Sequence, residues 1–455
     1  MKLVYDVKDK PKFAQLIVFA IQQLLAIMAA TLVVPVITNG RAGLVGEDAM
    51  STAAALFGAG LGTIVYVLFT RAKSPVFLGS SFAFLGSMAA AFAGAVSAQL
   101  GYVGLILGAV FAGLVYVIIA VIVKFAGVGW INKLMPAVVI GPTVAIIGLS
   151  LAGGAVSDLQ TAPAGGDSRI AIVCGLVTLA VTMLCSVFGK RMMKLIPFVL
   201  GILAGYAVAT VFTVIGNAAG IDALKVINFS VFESLLENGK VTFNTFISVP
   251  DFTFLTAIKG VKEISGSYVA TIAVAYIPVA FVVFAEHIAD HKNISSIIGK
   301  DLLEEPGLHR TLLGDGVGSM VGAFFGGCPN TTYGESVACV AITGNASVVT
   351  IIAAAVGAVI ISFLNPFVAF VNSIPSCVMG GVCMALYGFI AVSGLKMIQK
   401  VNFENNRNLF VASVILIAGI GGLTISFGKV TITTTACALI LGILANLMLS
   451  KAKED

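Results

Sequence analysis

Five stretches of the chain, residues 13–40, 74–123, 134–157, 264–285 and 336–395, hold no Asp, Glu, Lys or Arg. Crossing a bilayer as a helix takes about 20 mostly apolar residues, so the longest of these stretches must cross more than once. The composition agrees: 59% of the 455 residues are hydrophobic and 10% are charged, whereas soluble domains carry roughly 25% charge. The fold class expected is an all-α polytopic membrane protein. Its first apolar run, from residue 13, exceeds the core of a secretory signal, about 7–15 residues, and reads as a retained first helix.

Apolar runs divided at charges and at Gly, Pro and Asn breaks give fourteen segments, centred near residues 26, 60, 86, 112, 145, 179, 206, 279, 319, 338, 358, 386, 417 and 440. Short inner loops of membrane proteins collect Lys and Arg. With the N-terminus inside and strict alternation, 19 of the 26 Lys and Arg fall on the inner face. They lie at the two termini and around Arg71 and Lys73, Lys124 and Lys133, Lys190 to Lys194, Lys292 to Arg310, and Lys396 to Arg407. Dropping a segment would throw the later loops out of phase. The expectation is therefore fourteen crossings of a cytoplasmic membrane with both termini cytoplasmic. The same loops account for the net charge of +5, and no nucleic-acid partner is implied. The seven cysteines are scattered through apolar runs, and His287, His291 and His309 lack zinc-site spacing. No metal or organic cofactor is expected.

The polar stretch 217–263, read as an extracytoplasmic connection, leaves seven segments before it and seven after. An odd number per half forces inverted topology, a recurrent transporter architecture whose substrate site is formed by discontinuous helices. The third segment of each half supplies a candidate: Val76-Phe77-Leu78-Gly79-Ser80-Ser81-Phe82 and Asn330-Thr331-Thr332-Tyr333-Gly334-Glu335-Ser336. Each runs from β-formers through glycine and small polar residues into an apolar helical run, and reads as strand, turn and half-helix. Gly and Ser also mark close helix packing, but the pattern recurs at the same ordinal position in both halves.

Glu286 follows twenty-two uncharged residues and Glu335 precedes sixty. An ionisable group in hydrocarbon is expensive unless paired or facing a polar cavity, and is by default a functional hypothesis. Glu286 and Asp290 are spaced i, i+4, on one face of a helix, which makes Asp290 a candidate for a short proton path inward; a solvated helix-end acid is the other reading. The start of a half-helix offers free backbone donors, and a carboxylate beside them offers acceptors. Such a site suits a flat neutral solute with alternating N–H and C=O groups. Phe82 and Tyr333 are placed to cover its faces, since aromatic rings stack on nucleobases.

The motifs Pro329-Asn330-Thr331-Thr332-Tyr333-Gly334-Glu335, Leu78-Gly79-Ser80-Ser81-Phe82-Ala83-Phe84, Ala285-Glu286-His287 and Pro306-Gly307-Leu308-His309-Arg310 closely resemble those of bacterial uracil permeases, within the nucleobase-ascorbate transporter (nucleobase:cation symporter 2) family. The resemblance runs from about residue 10 to the C-terminus. It implies a seven-plus-seven inverted repeat with segments 3 and 10 interrupted by short strands. Residues 1–125 and 264–372 would form a core domain, and 126–216 and 373–455 a gate domain. It also implies uracil uptake by alternating access, with a proton as coupling ion, the bilayer as the other partner, and a homodimer as the candidate assembly.

In that reading Glu286 and Glu335 accept the base N–H groups, backbone amides near Phe82 and Gly334 meet its carbonyls, and Ala30 and Tyr333 complete the pocket. In similar permeases a histidine one turn after the first glutamate couples to a tyrosine that corresponds to Tyr387. Here Asp290 stands in that place and His291 follows it, so the relay is left between these two. The purine branch has Asn-x-Gly after the position of Glu335, whereas this chain reads Ser336-Val337-Ala338, which favours uracil over xanthine or another purine. A membrane-embedded enzyme would need a nucleophile and base in register, and no motif supplies them. An anion transporter would not place two glutamates here and would often carry a cytosolic domain, for which the five residues after Ser450 leave no room.

Overall fold

The computed structural model describes residues 3–451 other than 128, 164, 191, 234, 237–238, 400 and 428–429. Of the basic residues assigned to the inner face, Lys2, Arg191, Lys400 and Lys453 lie outside the described residues. The principal elements, in order, are α1 (Phe13–Ala42), α2 (Thr52–Phe69), β1 (Leu78–Ser80), α3 (Leu85–Ala93), α4 (Ala98–Ala126), α5 (Ala137–Gln160), α6 (Ser168–Phe188) and α7 (Pro197–Ala219). There follow α8 (Gly266–Ile298), α9 (Leu308–Gly326), β2 (Asn330–Thr332), α10 (Gly334–Thr343), α11 (Val348–Ile361), α12 (Ser376–Met397), α13 (Asn406–Ile420), a hairpin of β3 (Ile425–Phe427) with β4 (Val430–Ile432), and α14 (Thr434–Met448).

Among the described residues, eight helices are long and apolar enough to cross a membrane: α1, α4 to α8, α12, and α2 with the turn before it. The chain is thus a mostly helical, multi-pass membrane protein. Proline stands at the start of α7 and just before α5 and α12, where its missing N–H breaks no helical bond. α9 falls short on apolarity, since it carries Arg310, Asp315 and five glycines. α3 and α10 have 9 and 10 residues, about 15 Å at 1.5 Å per residue, half the hydrocarbon thickness.

The two short helices reach depth because strands precede them. β1 and β2 pair antiparallel, Leu78 opposite Thr332, Gly79 opposite Thr331 and Ser80 opposite Asn330. Extended backbone at membrane depth must find partners inside the protein. Here each strand serves the other, and flanking bonds from Ser81 N to Pro329 O (2.9 Å) and from Tyr333 N to Phe77 O (3.2 Å) lengthen the ladder. Side chains finish the accounting: Leu78 N donates to Thr63 Oγ1 at 2.9 Å, and Phe77 N to Ser336 Oγ at 2.9 Å. Around this crossing α2 packs on α9 and α11, α4 on α8 and α9, and α1 on α11. A second group packs α12 on α5 and α6, α6 on α7, and α13 on α5 and α14.

The N-terminal residues strap the far end of α10. Val4 N donates to Gly344 O (2.7 Å), Ala346 N to Tyr5 O (2.9 Å) and Val348 N to Val7 O (3.1 Å). Lys300 Nζ donates to Asp6 at 2.5 Å. This bond, with help from the Val7 amide, holds the Asp6 carboxyl below its usual value. A lowered carboxylate contributes stability that is present above the unfolded value and lost as pH falls through the folded one. Both side chains are about half exposed, so the contribution is small. Asp6→Asn is expected to speed amide hydrogen exchange at Ala346 and Val348 by a factor of about 1.5 to 5 at neutral pH, and by nothing once Asp6 is protonated. A wild-type exchange rate at neutral pH would mean that the backbone bonds hold the strap alone.

Candidate functional site

The crossing strands bring two helix starts together. α10 begins at Gly334, with Tyr333 as its N-cap residue, and neither it nor the short 3-10 turn Phe82–Phe84 that leads into α3 has a side-chain cap. Their first-turn N–H groups are therefore available to a ligand. A small cavity of about 40 Å³ lies at this point, lined by Ser81, Phe82, Tyr333, Gly334, Glu335 and Glu286 among others. A larger one of about 690 Å³ shares Glu286, Gly334 and Glu335 and extends past Asp290 and Asn293 to Lys194 and Lys396. Its opposite wall is apolar, with Val144 of α5, Phe198 of α7 and Leu386, Phe389 and Ile390 of α12.

α8 presents two stripes at helical spacing. Glu286, Ala289, Asp290 and Asn293 face the larger cavity. His287 and His291, offset by one position and so turned about 100° from that stripe, are buried with no exposed surface. Asp290 accepts a hydrogen bond from Thr332 Oγ1 at 2.9 Å, which ties α8 to β2. Ser336, just after Glu335, takes bonds from the Phe77 amide and from Gln23 Nε2 (2.5 Å), so the first turn of α10 is fixed to both α1 and β1.

The remaining expected residues divide. Tyr333 is 5% exposed, lines the small cavity, and donates its hydroxyl to Ser80 O at 2.7 Å. Its ring lies over Gly79, where any Cβ would collide with it. Phe82 lines the same cavity and meets Tyr387 edge-on, centroids 5.8 Å apart. Ala30 is buried on α1 and lines neither cavity, whereas Ala26, one turn earlier, lines the larger. His291 also lines neither. Its tyrosine partner is Tyr66 of α2 at 2.6 Å, while the ring that Tyr387 meets is Phe82.

Sequence reading missed a buried pair. His287 Nδ1 lies 2.7 Å from Asp315 Oδ2 on α9, and His287 Nε2 lies 2.9 Å from Thr311 Oγ1. A signal was present: residues 316–334 after Asp315 carry no charge, so Asp315 is as much a carboxylate in the wrong solvent as Glu335. Unlike Glu335, it has a charge, Arg310, only five residues before it.

Membrane helices, two paired strand and half-helix elements, and a cavity at their meeting point that holds two glutamates define the class of protein as a membrane transporter. The folds of solved transporters agree. The transmembrane domain of the cyanobacterial bicarbonate transporter BicA aligns over 98% of this chain and all of that one with a TM-score of 0.59 and 14% identity. Murine Slc26a9, an anion transporter in the inward-facing state, aligns over 97% of this chain and 69% of its own with a TM-score of 0.63 and 11% identity.

The chain belongs to the Permease family, whose model matches residues 14–427, in keeping with the resemblance carried by the motif around Glu335. A uracil permease of Bacillus caldolyticus is 39% identical over 98% of this chain and 95% of its own length. Those of Bacillus subtilis (strain 168) and Escherichia coli (strain K12) are 37% and 33% identical, over 100% and 96% of this chain and 97% and 92% of theirs.

Proposed function

We propose that this permease carries uracil across the cytoplasmic membrane in symport with a proton. The observation that carries the reading is the placement of Glu286 and Glu335 in one cavity against two uncapped helix starts. Uracil presents N–H and C=O groups alternately around a flat ring. Glu335 and Glu286 accept from its N–H groups, and the amides near Phe82 and Gly334 donate to its carbonyls. Phe82 and Tyr333 border the ring faces, and Ala30 backs the pocket from within α1. The three relatives named above are all uracil permeases, which supports the choice of base.

Proton coupling runs along the cavity stripe of α8. Glu286 holds the proton that accompanies substrate, and Asp290, one turn further toward Asn293 and Lys396, passes it inward. The larger cavity opens beside Lys194 and Lys396, residues that charge distribution assigns to the cytoplasm, so the conformation is open to the inside. Fourteen segments in a seven-plus-seven inverted repeat, with core domain 1–125 and 264–372 and gate domain 126–216 and 373–455 joined through 217–263, supply alternating access. The packing of α1, α2, α4, α8, α9 and α11 as one group and α5, α6, α7, α12, α13 and α14 as another supports that division. Tyr387, on the gate side, closes over Phe82.

Labelled uracil uptake into proteoliposomes tests this. An inward proton gradient is expected to raise initial uptake by about tenfold or more, unchanged when sodium is replaced by choline, with excess unlabelled uracil abolishing it and xanthine not. Full inhibition by xanthine with none by uracil would sink the assignment of the base, and uptake indifferent to the gradient would sink proton coupling.

A further inference from the structure

The small cavity has a wall that the mechanism above does not use. Its polar lining comes from α8 and from the crossing strands with the turns that follow them, whereas α5 and α12 contribute one residue each, Ile147 and Ile390. Ile147 is 3% exposed, and Ile390, half-buried, borders the larger cavity as well. Beside these side chains the two helices meet backbone to backbone. A Cβ on Gly148 would stand 2.2 Å from Tyr387 O and 2.8 Å from Ala391 N, and one on Gly394 would stand 2.3 Å from Ala145 N. Small residues permit such an approach, and it leaves the helices no slack. Branching at Cβ also restricts each isoleucine at χ1. The wall is therefore both apolar and stiff.

The chemistry of the base gives this wall something to face. Around the uracil ring run N1–H, C2=O, N3–H and C4=O, and the two remaining positions, C5 and C6, carry only C–H. Partners for the first four stand on α8 and at the two helix starts, and Phe82 and Tyr333 take the ring faces. The C5–C6 edge is left over, and Ile147 and Ile390 are the branched apolar side chains that the lining offers it. A methyl group at C5, or the second ring of a purine, which is fused at that edge, would enter the space these side chains hold. Thymine presents the same N–H and C=O groups as uracil, so Glu286 and Glu335 cannot tell the two apart; only bulk at this edge can.

We propose that Ile147 and Ile390 set the size limit for the base by closing against its C5–C6 edge. Uracil lets both side chains reach contact. A base enlarged at this edge holds α5 and α12 away from the carboxylates, so it binds weakly and is not carried. One methylene in an apolar pocket changes discrimination about 10- to 200-fold, which is the scale expected of a wall that rejects by bulk. The work of recognition is thus divided: the carboxylates and the helix starts read the polar edge, and the two isoleucines measure the apolar one.

This inference rests on uracil as the carried base. Its test is competition of unlabelled thymine for labelled uracil on the purified protein, together with uptake of labelled thymine into proteoliposomes. Wild type should bind thymine about tenfold or more weakly than uracil and carry little of it. In Ile390→Ala and in Ile147→Ala the gap should close to within about threefold, with thymine uptake rising, and Ile390→Val, which removes one methylene, should lie between. Phe389→Ala is the control, because Phe389 borders the larger cavity and not the smaller, and its ratio of the two affinities should match wild type. Equal binding of thymine and uracil by wild type would overturn the wall, as would an unchanged ratio in either alanine variant or a change of the same size in Phe389→Ala. A parallel loss of both bases would overturn it too, marking the isoleucines as packing alone. Failure of the wild type to bind uracil, with xanthine bound instead, would overturn the choice of base and the wall with it.

Discussion

Glu335→Gln is expected to weaken uracil binding by about 10- to 100-fold and to reduce uptake to background. A hydrogen bond to a charged acceptor contributes about 1.5–3 kcal/mol, and each 1.4 kcal/mol is tenfold in affinity. The carboxamide keeps the length of the side chain but loses the charge, and it brings an N–H that can oppose the N–H of the base. It cannot relieve this by moving away, because the first turn of α10 is fixed by the bonds of Ser336 to Phe77 and Gln23. Equilibrium binding to the purified variant, alongside uptake, gives the measurement. Glu335→Asp, which keeps the charge and shortens the reach, should lie between the two. Wild-type affinity in the glutamine variant would remove Glu335 from the role of reading the base.

Much of the site was legible because charge in hydrocarbon is conspicuous. Glu286 and Glu335 stand at the borders of long uncharged runs, and the structure places both in one cavity. The strand and half-helix elements were legible from β-formers next to glycine, and β1 and β2 occur at those positions. Helix lengths were not. Apolar runs show where chain can enter lipid, but 9 or 10 residues of helix plus three of strand look the same as a full span once neighbouring segments are apolar.

The internal polar pairs were also hidden. Which histidine meets which tyrosine depends on helix rotation, and a shift of one position on α8 separates a cavity-lining Asp290 from a buried His291. Tyr66 lies 225 residues away in the chain, beyond the reach of any local pattern. Asp315 was obscured for the opposite reason, by charges so near in sequence that its burial went unsuspected.

The position of the strands depends on a feature that carries no charge at all. Gly58 and Gly62 of α2 face Gly318 and Gly322 of α9, and the Asn330 side chain lies among them, donating from Nδ2 to Gly58 O at 3.0 Å. A Cβ on Gly62 would stand 2.7 Å from Asn330 Nδ2 and 2.8 Å from Gly318 O. The second neighbour is helix backbone and cannot turn aside, so either the helices part or Asn330 leaves its bond. Overpacking of this kind costs about 1–3 kcal/mol. Asn330 begins β2, and Thr332, Tyr333 and Glu335 follow it within five residues, so a displacement here is passed to the substrate site, where a misplacement of about 1 Å can cost 100-fold. Gly62→Ala is therefore expected to lower uracil uptake about tenfold or more and to lower thermal stability in detergent. Gly86→Ala on α3 adds a Cβ with nothing within 4 Å and should leave both unchanged. If the two variants behave alike, the spacing of α2 and α9 does not set the position of the crossing strands. If only Gly62→Ala fails, the carboxylates depend on a contact between backbones more than 250 residues apart in the chain.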